Sequence, residues 1–203
     1  MQHNANAPIR VPPGSTFAAE SNAAAATPAA LRLFFALWPS AALRHRLAQH
    51  QALWRWVPPA RPLPAAKLHL TLLFMPAVAQ PQVPALLQAA ATVAQRGQAF
   101  ELLLDRAAVW QHGGIAHLAP SSIPPALVAL QAALAGEAAR CGVVFDTRPY
   151  APHVTLARRA ERQTPPAAFA PLRWAARDVA LVQSALGTGR YTVLARWPLG
   201  RAQ

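Results

Sequence analysis

Residues 68–72 read Leu68-His69-Leu70-Thr71-Leu72, and residues 152–156 read Pro152-His153-Val154-Thr155-Leu156. Both carry His–apolar–Thr–Leu within strand-like sequence. Side chains two apart on a strand share a face. His69 and Thr71 therefore point one way, and Leu68, Leu70 and Leu72 the other. His153 and Thr155 likewise oppose Val154 and Leu156. Each segment predicts a strand that buries its aliphatic residues and presents an imidazole beside a hydroxyl. The chain has only seven His and nine Thr in 203 residues, so composition alone does not supply such a pattern twice. Two copies predict two similar lobes facing each other across a cleft.

Working outward, 31–37 (LRLFFAL) predicts a buried strand. Pro39-Ser40 opens a helix whose apolar positions are Leu43, Leu47 and Leu53. Four prolines between 58 and 64 make 57–66 a loop. Strand 67–74 follows, and then a helix over 82–95 that stops at Gly97. Residues 99–110 and 114–119 predict strands joined by a turn at His112-Gly113-Gly114. A helix over 124–140 ends at Cys141-Gly142. Strands are predicted at 143–146, 153–158, 179–186 and 190–197, the last two flanking Gly187-Thr188-Gly189. This order predicts an α+β fold, with antiparallel sheets covered by helices on one side. Residues 1–29, rich in Ala, Pro, Asn and Ser, are expected to be a disordered or mis-called N-terminal extension.

Hydrophobic residues make up 54% and charged residues 13% of the chain, enough apolar material for a core. The single cysteine, Cys141, excludes an internal disulfide framework and suits a reducing, cytoplasmic compartment. No apolar run is long enough for a membrane helix. The Ala-rich 23–30 leading into Leu31–Trp38 has the look of a signal-peptide core. Arg32 interrupts it, however, and no clean cleavage site follows. Lys and Arg number 19 against seven Asp and Glu, and residues 1–30 hold only Arg10 and Glu20, so the excess lies in the folded part. Every basic residue except Lys67 is Arg, whose planar fork suits phosphate oxygens. The excess favours a polyanionic partner, nucleic acid first. Arg-rich codon usage would produce the same composition.

A neutral imidazole accepts a proton near neutral pH, and an imidazolium gives one. Two imidazoles flanking a phosphodiester can act as base and acid in an in-line displacement by water. Thr hydroxyls can donate to the non-bridging oxygens. The acidic residues are too scattered for a two-metal centre, and there is no Gly-rich phosphate loop. No metal or cofactor is expected. His45 and His50 are read as surface side chains, His112 and His117 as structural or solvent-exposed, and Cys141 as a packing residue. The six tryptophans are read mostly as packing residues, one of which could stack on a base.

The paired motif resembles that of the 2H phosphoesterase superfamily. Within it, the chain resembles the RNA 2′,3′-cyclic phosphodiesterases, historically called 2′-5′ RNA ligases (the LigT/ThpR group). The two motifs, Arg32–Leu37 and Tyr191–Leu199 carry the resemblance, which spans about 31–199. It implies that residues 30–203 form a single bilobal domain with pseudo-twofold symmetry and one motif per lobe. It implies metal-independent hydrolysis of a 2′,3′-cyclic phosphate to a 2′-phosphomonoester. His69 would be the proton donor and His153 the proton acceptor, with Thr71 and Thr155 holding the phosphate. The partner would be RNA with a cyclic phosphate end, or a cyclic nucleotide, and the protein a monomer. Relatives often carry a basic residue where this chain has Ala151. Arg158 is the candidate to compensate, although strand alternation places it on the face opposite His153. The alternatives are a 2H enzyme acting on another substrate (a small cyclic nucleotide or a 2′-5′ linkage, including reversible 2′-5′ RNA ligation) and a non-catalytic RNA-binding module.

Overall fold

Ser40, three residues beyond the first strand, starts the first helix, its hydroxyl accepting a hydrogen bond from the Leu43 amide at 3.2 Å. In the computed structural model, which describes residues 30–200, this joins β1 (Leu31–Leu37) to α1 (Ala41–Ala52). Along α1 the buried positions are Leu43, Leu47 and His50. Leu53 was the expected third apolar position, but it falls outside the helix and is exposed. His50, far from being a surface residue, takes the inward place. Its Nε2 accepts from the Trp54 indole at 3.2 Å, and its ring meets the edge of Phe169. Burial lowers its pKa from 6.5 to about 4.

The remaining elements are β2 (Arg61–Pro62), β3 (Leu70–Val78), α2 (Val83–Arg96), β4 (Phe100–Leu104), β5 (Arg106–Trp110) and β6 (Ile115–Ala119). They are followed by α3 (Pro125–Arg140), β7 (Val154–Arg158), β8 (Leu172–Ala176), β9 (Asp178–Ser184) and β10 (Tyr191–Pro198). An eight-stranded sheet runs β10-β9-β1-β3-β7-β6-β5, with β2 also on β7, and β4-β8 form a second, two-stranded sheet. All these strand pairs are antiparallel. The fold is mixed α+β and bilobal. No helix among the described residues is long and apolar enough to cross a membrane.

Three expectations change. The strand over 99–110 breaks at Asp105, whose carboxylate binds the Ser121 amide and hydroxyl, and its halves join different sheets. Residues 143–146 contribute only an isolated bridge, Val144 to Ala77. Strand β8, Leu-Arg-Trp-Ala-Ala, was not foreseen. It alternates buried and exposed, but its last two residues are alanines and Pro171 precedes it, which mutes the signal. The expected N-terminal extension, 1–29, lies outside the described residues.

Between β3 and β7 the sheet is joined by one bridge, Leu70 to Val154. A local twofold axis passes through any antiparallel bridge. Here it relates β1–α1–β3 to β6–α3–β7, each carrying one copy of the motif at the start of its last strand. The connecting helices cross over. Gln51 of α1 donates to the carbonyl of Leu156 on β7 at 2.7 Å, whereas α3 packs beside α2 over the β3 half. Leu33, Phe35, Leu37, Leu70, Leu72, Val154 and Leu156 face the helices in one continuous core. On the opposite face a second small cluster forms from Phe34, Ala36, Ala180 and Val182.

His50 makes the fold acid-sensitive. Its unfolded pKa lies above its folded one, so on acidification the unfolded chain takes up the proton first. The stability conferred by neutral His50 is present above about pH 6.5 and is lost as pH falls towards 4. One such group adds at most about 1.4 kcal/mol per pH unit. Urea unfolding at pH 7.5, 6 and 5 is expected to show a smaller loss on acidification for His50→Leu than for the parent chain. Equal slopes would place the His50 ring in water.

Candidate active site

Leu70 and Val154 are each the central residue of a motif, and both side chains are fully buried on the helix side. Continuing the register one residue each way sets His69 opposite Thr155 and Thr71 opposite His153. All four side chains then emerge on the other face around the bridge. They line a cleft of about 490 Å³, together with Phe34, Lys67, Trp110, Tyr150, Arg158 and Tyr191 among others.

The period-2 pattern breaks immediately after each Thr. Ala36 pairs with Thr71 but Phe35 with Leu73, and His117 pairs with Thr155 but Ala116 with Ala157. Leu72 and Leu156, the last residue of each motif, are therefore bulge residues. Leu72-Leu73 and Leu156-Ala157 are consecutive buried pairs, and the following side chains return to the cleft face. These are Phe74, with the Arg32 guanidinium 4.7 Å from its ring centroid, and Arg158. Simple alternation had sent Arg158 to the other face. The bulge corrects this, and Arg158 is an exposed wall of the cleft.

Both histidines stand just before their strands and are oriented alike. The Nδ1–H of His69 donates to the Lys67 carbonyl at 2.7 Å, and that of His153 to the Ala151 carbonyl at 2.8 Å. Each bond to residue i−2 leaves Nε2 as the acceptor nitrogen on the cleft side. The His69 Nε2 accepts from the Thr71 hydroxyl at 3.2 Å. Their surroundings differ. His69 lies against Phe34 and Trp38, stacked at 4.8 and 5.4 Å, with Tyr191 edge-on at 5.4 Å. His153 meets Trp110 at 4.5 Å and His117 at 5.7 Å.

Burial is the main cause that lowers both pKa values, to about 4 for His69. The hydrogen bond to the i−2 carbonyl works against it in each case, and the charge of Arg158 adds to the lowering at both. The empty site thus keeps both imidazoles neutral at pH 7. Tyr150 is a third, half-buried titratable wall, its phenol pushed up by burial and its hydroxyl 3.5 Å from the Thr71 carbonyl. Asp146 is held below the usual carboxylate range, chiefly by hydrogen bonding to Arg148.

Other sequence readings fare unevenly. His45 and His112 are exposed, and Cys141 packs against the main core. His117 is not solvent-exposed. It is buried beside His153, facing Thr155 across the strand pair and 4.2 Å from Trp110. Trp54 and Trp174 are core residues, while Trp38 and Trp110 are site walls. Lys67 and Trp110 had no motif to mark them. Phe34 and Tyr191 lay in stretches that carried the family resemblance. Among the described residues, no group of three or more His, Cys, Asp or Glu is placed to hold a metal.

The family model described as "2'-5' RNA ligase superfamily" matches residues 38–188. The chain is 35% identical over 174 residues to the RNA 2',3'-cyclic phosphodiesterase of Escherichia coli (strain K12), covering 83% of this chain and 96% of that protein. Crystalline E. coli LigT complexed with 3'-AMP is similar in structure, with a TM-score of 0.72 and 32% identity over 84% of this chain and 98% of that one. The protein TT0787 of Thermus thermophilus gives a TM-score of 0.70 at 26% identity, over 85% of this chain and all of that one (100%). The chain belongs to the 2'-5' RNA ligase superfamily.

An NMR titration of the imidazoles checks the electrostatics. In the absence of an anion, His69 and His153 are expected to stay neutral from pH 8 to below 6.5, with His69 protonating only near pH 4. Phosphate should raise both midpoints, because an adjacent anion favours the imidazolium. Midpoints at or above 6.5 without phosphate would mean that the cleft is wetter than its walls imply.

Proposed function

We propose that this protein hydrolyses the 2′,3′-cyclic phosphate ends of RNA to 2′-phosphomonoesters, with His69 and His153 sharing the proton transfers. The observation that carries this reading is the placing of two imidazoles and two hydroxyls on one face about the Leu70–Val154 bridge. Family membership and the activity named for the E. coli relative support it.

His153 Nε2 takes a proton from water as the water oxygen attacks phosphorus. The P–O3′ bond breaks, and His69 gives its proton to the departing 3′ oxygen. The products are a 3′ hydroxyl and a 2′-phosphate, so atoms and protons balance. Thr71 and Thr155 donate to the non-bridging oxygens, and Arg158 adds positive charge at the wall. The assignment of the acid to His69 follows the family resemblance, and its neighbours are compatible with it. Aromatic faces attract a cation, and Phe34 and Trp38 lie on the His69 ring. Once the substrate phosphate offsets desolvation, His69 is the better-housed imidazolium. Within this reading residues 30–203 act as one bilobal unit, a monomer in the cytoplasm with RNA as partner. The free thiol of Cys141 suits such a compartment.

His69→Ala and His153→Ala are each expected to lower turnover of a 2′,3′-cyclic nucleotide by roughly 10²–10⁴-fold with folding retained. A substrate with a better 3′ leaving group should rescue His69→Ala and not His153→Ala. The reverse would exchange the roles. Activity should persist in EDTA, since both proton transfers are assigned to imidazoles.

The pH profile of the parent chain carries a second expectation. kcat/KM reports the free enzyme. Lowered imidazole pKa values move both limbs of its bell to acid, so its maximum should lie below pH 6.5. kcat reports the phosphate-bound enzyme, and its maximum should lie at higher pH. Coincident maxima would show that the bound phosphate leaves the histidines unchanged.

A further inference from the structure

Strand β2 is two residues long, yet it is fastened at both ends. Gln51 Nε2 donates to the carbonyls of Leu63 and Leu156 at 2.9 and 2.7 Å. The buried Gln163 exchanges two hydrogen bonds with the Val57 backbone, at 3.0 and 2.9 Å. What this fastening holds in register is Arg61 directly opposite Arg158. Residues opposite each other on an antiparallel pair share a face, and like charges so placed repel. Both arginines are exposed, and among the described residues neither has an ion-pair partner.

The face is that of the cleft. Arg158 lines it through the bulge after Thr155, and so does Leu63, two residues along the extended chain from Arg61. Arg61 itself stands just beyond the lining. The other cations near the cleft are engaged. Arg148 is bound to Asp146, Arg32 lies over Phe74, and Lys67 lies 5.6 Å from the Tyr191 centroid. Arg61 and Arg158 thus form a directly opposed pair of exposed guanidiniums at the β2–β7 end of the cleft.

We propose that Arg61 forms a second phosphate subsite, which takes the 5′-phosphate of the nucleotide whose 2′,3′-cyclic phosphate lies between the histidines. This rests on the function proposed above and adds a direction to it. The RNA chain would leave the cleft past β2, with Arg158 between the two phosphates. The guanidinium pair, repulsive when empty, becomes favourable with an anion between or beside its forks.

Two pairs of probes test this. Adenosine 2′,3′-cyclic phosphate with a 5′-phosphate should have a kcat/KM roughly tenfold above that of the same nucleotide without it, as expected for one charge-assisted contact. Arg61→Ala should abolish this advantage while leaving the unphosphorylated substrate unchanged, which also reports that the variant is folded. Calorimetry should likewise show adenosine 2′,5′-bisphosphate binding more tightly than adenosine 2′-monophosphate, with the difference lost in Arg61→Ala. Absence of a 5′-phosphate advantage in the parent chain, or an equal loss for both members of a pair in Arg61→Ala, would overturn the subsite. If the parent chain cleaves neither substrate, the proposed reaction fails, and the calorimetric pair alone then decides the subsite. Should Arg61→Ala fail to fold, Arg61→Gln is read by the same criteria.

Discussion

Leu70 and Val154 meet across the seam of the large sheet, and every feature of the site depends on that contact. It is the bridge that joins β3 to β7. Both side chains are completely buried in the core, so a one-residue slip of either strand would turn its aliphatic residues into the cleft and its imidazole and hydroxyl into the core. Burying an unsatisfied imidazole in exchange for exposing a leucine or a valine is disfavoured on both counts. The aliphatic residue inside each motif therefore fixes the register that sets His69 against Thr155 and Thr71 against His153. The chemistry is positioned by the residues that take no part in it.

One bridge is a slender joint for two halves. The crossing helices relieve it. Because α1 leaves β1 and binds β7 through Gln51, while α3 leaves β6 and packs over the β3 half, neither half has its full cover alone. The seam can consequently stay short, and the cleft that runs along it stays open on the face without helices.

Much of this was legible in the sequence because it rests on local rules. The three helices begin and end near Ser40, Gly97 and Cys141-Gly142, where capping and turn residues place them. The paired motifs were legible because alternation tells which side chains share a face. The same rule hid the bulges. Leu72 and Leu156 look like ordinary inward positions, and nothing local marks the extra residue that turns Phe74 and Arg158 into the cleft. Arg158 was therefore assigned to the wrong face, and Arg61 to a proline-rich loop. The burial of His50, read as a surface side chain, and of His117, read as structural or solvent-exposed, was hidden for a different reason. A buried histidine is indistinguishable from an exposed one until its partners, here Trp54 and Trp110, are brought in from elsewhere in the fold.

The two halves are related by a twofold, but their histidines are not equivalent, and the difference follows from what fills the floor on each side. Under His69 lies the apolar cluster of Phe34, Ala36, Ala180 and Val182, walled by Trp38 and Tyr191. The residue facing Thr71 is Ala36, and the residue facing Thr155 is His117. One motif thus rests on hydrocarbon and aromatic faces, the other beside a second imidazole. Desolvation penalises the charged form in both; two aromatic faces stack on the His69 ring, whereas Trp110 meets His153 at an angle. Without an anion beside them, both imidazoles are held in the neutral form at pH 7. An anion in the cleft changes the balance at both histidines together, since each already responds to the charge of Arg158. Under the proposed function, protonation of an imidazole is in this way linked to occupancy: a bound phosphate supplies the field under which an imidazolium becomes stable.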